Sequence, residues 1–161
     1  MKKNILRIIL LILLGLTFYI IFGFSGQDGE SSGTISQRVT QVIININPCT
    51  KNLDIQKKYQ IEETLHPIVR KIAHFSIYTL VGILLMSFMS TYNINKWKRI
   101  VTSLMVGFMY ACTDEFHQSF IPGRSNEFKD VLIDTSGVIT GIIIVYIILY
   151  IYNKICIKIE K

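Results

Sequence analysis

The stretch VLIDTSGVITGIIIVYIILYIY, residues 131–152, decides the reading of this chain. It holds a single charged side chain, Asp134, in an otherwise apolar run. As a helix rising about 1.5 Å per residue it is about 33 Å long, enough to cross a hydrocarbon core of about 30 Å. Three further apolar runs precede it, at residues 5–24, 72–90 and 99–118. The third of these is apolar only from Ile100 to Thr113, about 21 Å of helix. To span, it must recruit the polar residues that follow or thin the bilayer locally. The expected architecture is therefore all-α: one domain, residues 1–161, built as an integral membrane bundle of about four transmembrane helices. The connections are an outer loop at 25–71, an inner loop at 91–98 and an outer turn at 119–130.

Composition agrees with this frame. Half of the 161 residues are apolar and 17% are charged, too apolar for an ordinary soluble domain of this size. A net charge of +6 raises nucleic acid as a partner. The Lys and Arg residues, however, sit in short blocks between apolar runs, with only Trp97 set among them, so no nucleic-acid surface is expected. The cysteines, Cys49, Cys112 and Cys156, form no CxxC or zinc spacing, and an odd number completes no disulfide framework. Lys2, Lys3 and Arg7 open the first run as in a signal peptide. That run is long for one, and Phe24-Ser25-Gly26-Gln27 lacks a small-x-small cleavage pattern, so a retained anchor is expected.

Positive charge sets the orientation. The N-terminal tip carries Lys2, Lys3 and Arg7, the link between the second and third runs Lys96, Lys98 and Arg99, and the tail Lys154, Lys158 and Lys161. Basic connections stay in the cytoplasm, which places both termini and the 91–98 link inside. In the long outer segment, residues 25–33 read as loop. Ile35, Val39, Val42, Ile43 and Ile46 then recur at helical spacing, a short helix on the outer membrane face ended by Asn47-Pro48. Ile55, Tyr59 and Leu65 suggest a second short helix before Pro67.

Polar residues inside the runs carry the chemistry, because an ionisable group at membrane depth is costly and turns toward the bundle interior. Ser103, Gly107, Tyr110, Asp114 and His117 share one helical face, as do Asp130, Asp134, Gly137 and Gly141, and Lys71, His74, Tyr78 and Gly82. The small residues lie deeper, where backbones can approach. The charged ends meet on the outer side, which predicts a cluster of Lys71, His74, Asp114, Glu115, His117, Gln118, Arg124, Asp130 and Asp134. The Pro122-Gly123 turn would fold Arg124 back over it. The same groups would also serve as salt bridges locking the bundle.

Three chemistries compete for the cluster. A metal could use His74, His117 and Asp114, but Asp114-Glu115-Phe116-His117 lacks the two-His spacing of HExxH, so neither metal nor cofactor is expected. An anion site would use Arg124 with Lys71 or Arg70. General acid–base work would use His74 or His117, oriented by Asp114 or Glu115. The sequence has no nucleophile elbow, P-loop or dinucleotide fingerprint.

Lys71-x-x-His74-Phe75-x-x-Tyr78, then Asp114-Glu115-x-His117-Gln118-x-Phe120-x-Pro122-Gly123-Arg124, then Asp130 with Gly137, closely resembles the VanZ-like family. Phe24-Ser25-Gly26-Gln27 is similar to that family's loop after its first helix, with Gly26 where a second Ser is frequent. The resemblance runs from about Phe24 to Gly141. It implies a multi-pass protein of the cell membrane in a family whose namesake is associated with teicoplanin resistance in Gram-positive bacteria. Some relatives carry a phosphotransbutyrylase name, which this chain, lacking a nucleotide-binding signature, does not support.

The resulting expectation is a cell-envelope protein whose outward cluster binds or modifies an anionic cell-wall precursor or lipid head group. His74, Asp114, Glu115 and His117 would be the catalytic candidates, with Lys71, Gln118, Arg124, Asp130 and Asp134 binding substrate. Membrane lipids are the expected partners. The alternative is a non-enzymatic structural or partner-binding protein whose cluster only locks the helices. A transporter would require the chain to oligomerise.

Overall fold

The computed structural model describes residues 2–26, 29–122 and 127–159, with backbone alone at 29–35 and 159. Among these residues it is all-helical: α1 (Lys2–Ser25), α2 (Gly29–Ile46), α3 (Ile55–Ser90), α4 (Lys96–Gln118) and α5 (Phe128–Ile159). By length and composition, α1, α3 and α5 are able to cross a membrane. Helix α4, at 23 residues, reaches about 34 Å. It is not apolar enough to stand with those three, because its last two turns carry Asp114, Glu115, His117 and Gln118.

Two expected boundaries move. The segment 29–33, read from its Gly and Ser residues as loop, is helical and belongs to α2. The short helix before Pro67 and the second apolar run are one 36-residue helix with Pro67 inside it. Proline leaves the Glu63 carbonyl without its i+4 donor, but its ring does not forbid continuation when packing holds both sides. Here α2 supplies that packing: Ser36 Oγ and His66 Nε2 lie 2.7 Å apart, and Gln41 Nε2 donates to Glu62 Oε1 at 3.0 Å. Helix α4 begins at the basic block because Asn95 caps it, its side chain accepting from the Trp97 amide at 3.0 Å.

Helix α3 is the centre, packed most extensively on α5 and also on α1, α2 and α4. The α3–α5 contact is close because glycine faces backbone. A Cβ at Gly82 would collide with the Val138 carbonyl, and one at Gly141 with the Thr79 carbonyl. This is small-residue packing between apolar helices, where association rests on van der Waals contact. The core between the helices includes Tyr78, Val81, Leu85, Met86, Ala111 and Val138. On α1 the buried positions Leu14, Thr17, Ile21 and Ser25 form one narrow face, and most of the remaining apolar side chains are exposed. An aqueous protein would not present so much contiguous hydrocarbon.

The two ends of the bundle differ. At one end Arg7 donates to Thr91 Oγ1 and to the Thr91 carbonyl, both at 3.0 Å, and its guanidinium lies 4.0 Å over the Tyr92 ring. At the other end Ser25 meets Asp114. Eighteen residues of α1 separate Arg7 from Ser25, about 27 Å of helix and nearly a hydrocarbon thickness.

Gly82→Ala and Gly141→Ala should each destabilise the detergent-solubilised chain by about 1–3 kcal/mol through overpacking. Gly15→Ala, where a Cβ meets nothing within 4 Å, should leave it unchanged or slightly firmer. Thermal denaturation of the three variants checks this.

Candidate functional site

At the end opposite Arg7, four helices contribute polar groups to one buried region. Asp114 on α4 is 4% exposed and accepts two side-chain donors. Ser25 Oγ, from the last residue of α1, donates to its Oδ1 at 2.5 Å, and Gln118 Nε2, one turn further along α4, donates to its Oδ2 at 3.1 Å. Gln118 Nε2 also reaches Ser25 Oγ at 3.3 Å. The carboxylate therefore ties α1 to α4 with charge-assisted bonds.

Across from it, His74 on α3 places Nδ1 3.5 Å from Oδ1 of Asp134 on α5. Asp134 is fully buried, and neither of its oxygens has a hydrogen-bond partner among the described residues. One ligand atom each from His74, Asp114 and Asp134 can be chosen so that all lie within 4.8 Å of one another. Glu115, 2% exposed, likewise has both carboxylate oxygens unpartnered and lies within electrostatic reach of Asp114, Asp130, Asp134 and His74. Lys71 Nζ lies 3.6 Å from Asp130 Oδ1 at the more exposed rim. A small cleft of about 10 Å³ sits between α3 and α5, bounded by Arg70, Lys71, His74, Asp130, Ile133 and Asp134.

A larger cavity of about 330 Å³ opens between α1, α2 and α3. Its walls are mainly apolar, including Ile21, Phe24, Val39, Val69 and Ile77, and Ser25, Arg70 and His74 supply polar groups. Ser25 and His74 thus touch both the cavity and the carboxylate cluster.

Of the residues expected from sequence, Lys71, His74, Asp114, Glu115, Gln118, Asp130 and Asp134 come together at this end. Arg124 lies outside the described residues, as does the turn beyond Pro122 that was to carry it. His117 is placed differently. Its ring stacks on Phe22 of α1 at 4.3 Å, and its Nε2 is buried without a hydrogen-bond partner among the described residues. The expected orientation of His117 by Asp114 or Glu115 is not formed, because Asp114 is already engaged by Ser25 and Gln118. The buried face of α4 is Ser103, Gly107, Ala111, Asp114, Glu115 and Gln118. Tyr110 and His117 lie on its flank, where Tyr110 stacks on Phe18 and donates to the Phe18 carbonyl at 2.7 Å.

Ser25 and Phe22 were not foreseen as site residues. A hydroxyl at the end of an anchor helix reads as loop onset, and only the meeting with Asp114 gives it a role.

The sequence profile of the VanZ/LLP1 family matches residues 10–150. The chain belongs to the VanZ/LLP1 family. That span covers every part of the cluster, from Ser25 to Asp134. Membership and three helices long and apolar enough to span mark this VanZ/LLP1 chain as a membrane protein. No curated protein and no solved structure matches it.

Ser25→Ala removes a buried donor shared by Asp114 and Gln118 and should lower stability by about 0.5–2 kcal/mol, the range for interhelical hydrogen bonds in membranes. Ser76→Ala, whose exposed hydroxyl bonds only to its own helix, should change it by less than about 0.5 kcal/mol. Thermal melts in detergent compare the two.

Proposed function

We propose that this chain is a multi-pass cell-membrane protein whose polar cluster faces outward and engages an anionic lipid or lipid-linked cell-wall precursor. That role would connect it to teicoplanin-type resistance. The observation that carries the reading is the cavity between α1, α2 and α3, apolar along its walls and furnished with Arg70, Ser25 and His74. Such a space suits an amphiphile, with hydrocarbon against Phe24 and Ile77 and a phosphate or carboxylate at the Arg70 guanidinium. His74, touching both cavity and cluster, is the residue best placed to exchange a proton with a bound head group.

The topology that goes with it has four crossings, α4 among them, with both termini in the cytoplasm. Its support is the charge asymmetry: Arg7 bonds to Thr91 beside the link that carries Lys96, Lys98 and Arg99, and basic connections stay inside. Helix α2 would lie along the outer surface, dipping the exposed Val39, Val42, Ile43 and Ile46 into the interface.

One observation favours a second reading, a purely structural lock. The Ser25–Asp114–Gln118 bonds and the Lys71–Asp130 pair each join two helices, which is what a bundle held by polar contacts requires.

Lipid retained by the chain purified from a Gram-positive host separates the two readings. Wild type should carry about one anionic lipid or precursor molecule per chain by mass spectrometry. Arg70→Ala, and Ala73→Trp filling the cavity, should each reduce it several-fold with little change in thermal midpoint. Equal retention by both variants would sink the lipid reading, and loss of stability without loss of lipid would favour the lock. In a sensitive host, wild type should raise tolerance to teicoplanin more than to vancomycin. No protection at good membrane abundance would remove the resistance role.

A further inference from the structure

Four carboxylates, Asp114, Glu115, Asp130 and Asp134, are gathered at one end of the bundle. Lys71 answers Asp130 at the rim. The remaining three are 4% exposed or less, and only His74 comes within ion-pair distance of any of them among the described residues. Among the described residues, Asp134 and Glu115 have no hydrogen bond to any of their four oxygens. Buried anions are normally paired or bound to a metal, and among the described residues no Lys or Arg lies within ion-pair distance of Asp114, Glu115 or Asp134.

We propose that His74, Asp114 and Asp134 bind a divalent transition-metal ion, zinc or manganese, at the junction of α3, α4 and α5. Their ligand atoms lie within 4.8 Å of one another, so a point exists within about 2.8 Å of all three. Drawing them in to the roughly 2.1 Å of a zinc–nitrogen or zinc–oxygen bond takes less than about 1 Å of side-chain movement. Asp134 faces His74 through Oδ1, and neither of its oxygens is held by a hydrogen bond among the described residues. Asp114 is held in orientation by Ser25 and Gln118, and each of its oxygens keeps a second lone pair.

One imidazole with two carboxylates selects the metal class. The imidazole suits zinc and the two carboxylates suit manganese as well, whereas magnesium and calcium prefer oxygen alone. Three protein ligands also leave a coordination position open, as in sites that bind an exogenous ligand rather than only brace a fold. Asp114 and Asp134 already balance the charge of a divalent ion, and Glu115, near all three ligands, would hold a metal-bound water. The sequence reading expected no metal; the set it weighed had His117 where the structure brings Asp134, because His117 turns to stack on Phe22.

The test uses the full-length chain without a histidine tag, in detergent, titrated separately with zinc and with manganese after chelator treatment. Uptake is read by elemental analysis and thermal midpoint together. One ion per chain should bind, raise the midpoint and be stripped reversibly by EDTA. His74→Ala and Asp134→Asn should weaken binding at least about 10-fold, as loss of a ligand or its support does. His66→Ala and Cys156→Ser should bind as wild type does. Should either ligand variant not fold, the wild-type titration still decides. No stoichiometric uptake of either metal would overturn the proposal, as would binding unchanged in both ligand variants or lost equally in His66→Ala. The titration contains no substrate lipid, so its failure leaves the lipid-binding reading standing, and the converse also holds.

Discussion

Asp114, Glu115 and Asp134 are withdrawn from solvent at one end of a bundle whose flanks are largely hydrocarbon. Carboxylates in such a place must be paired, hydrogen-bonded or neutralised, since an ion left alone in an apolar medium is prohibitively costly. Much of the arrangement follows from that requirement. The end of α1 must bring Ser25 to Asp114, α3 must bring His74 to Asp134, and α5 must approach α3 closely enough for that pair to form. Gly82 and Gly141 allow the approach by removing the side chains that would hold the two backbones apart.

The polar end also borders the cavity between α1, α2 and α3. Ser25 and His74 belong at once to the carboxylate network and to the apolar space between α1, α2 and α3. A ligand in that space and an ion among the carboxylates would therefore share contact residues. Coupling between them needs no long path, only the two side chains that stand between the sites.

Much of this was legible in the sequence, for physical reasons that differ by element. The runs at 5–24 and 131–152 declare themselves because hydrocarbon must be covered over about 30 Å. The inward stripes of α3 and α5 were readable because a buried ionisable group and a glycine facing backbone both demand the interior, and His74, Asp134, Gly82 and Gly141 obey that demand. Helix α4 was harder. Its stripe through Tyr110 and His117 shares a face by spacing, but aromatic rings find better contact with Phe18 and Phe22, so the buried face rotates toward Ala111 and Glu115. The continuity of α3 through Pro67 was not readable either, since it depends on α2 packing alongside. Ser25 gives no local signal; its partner is 89 residues away.

The central claim is that buried groups on different helices are energetically joined rather than merely adjacent. A double-mutant cycle on His74 and Asp134 tests this most directly, with His74→Ala, Asp134→Ala and the double variant unfolded thermally in the same detergent and metal-free buffer. The account predicts a coupling energy of at least about 1 kcal/mol, because removing either partner alone leaves the other buried and uncompensated. Strict additivity, with the double variant losing the sum of the two single effects, would mean that the two side chains do not share a site.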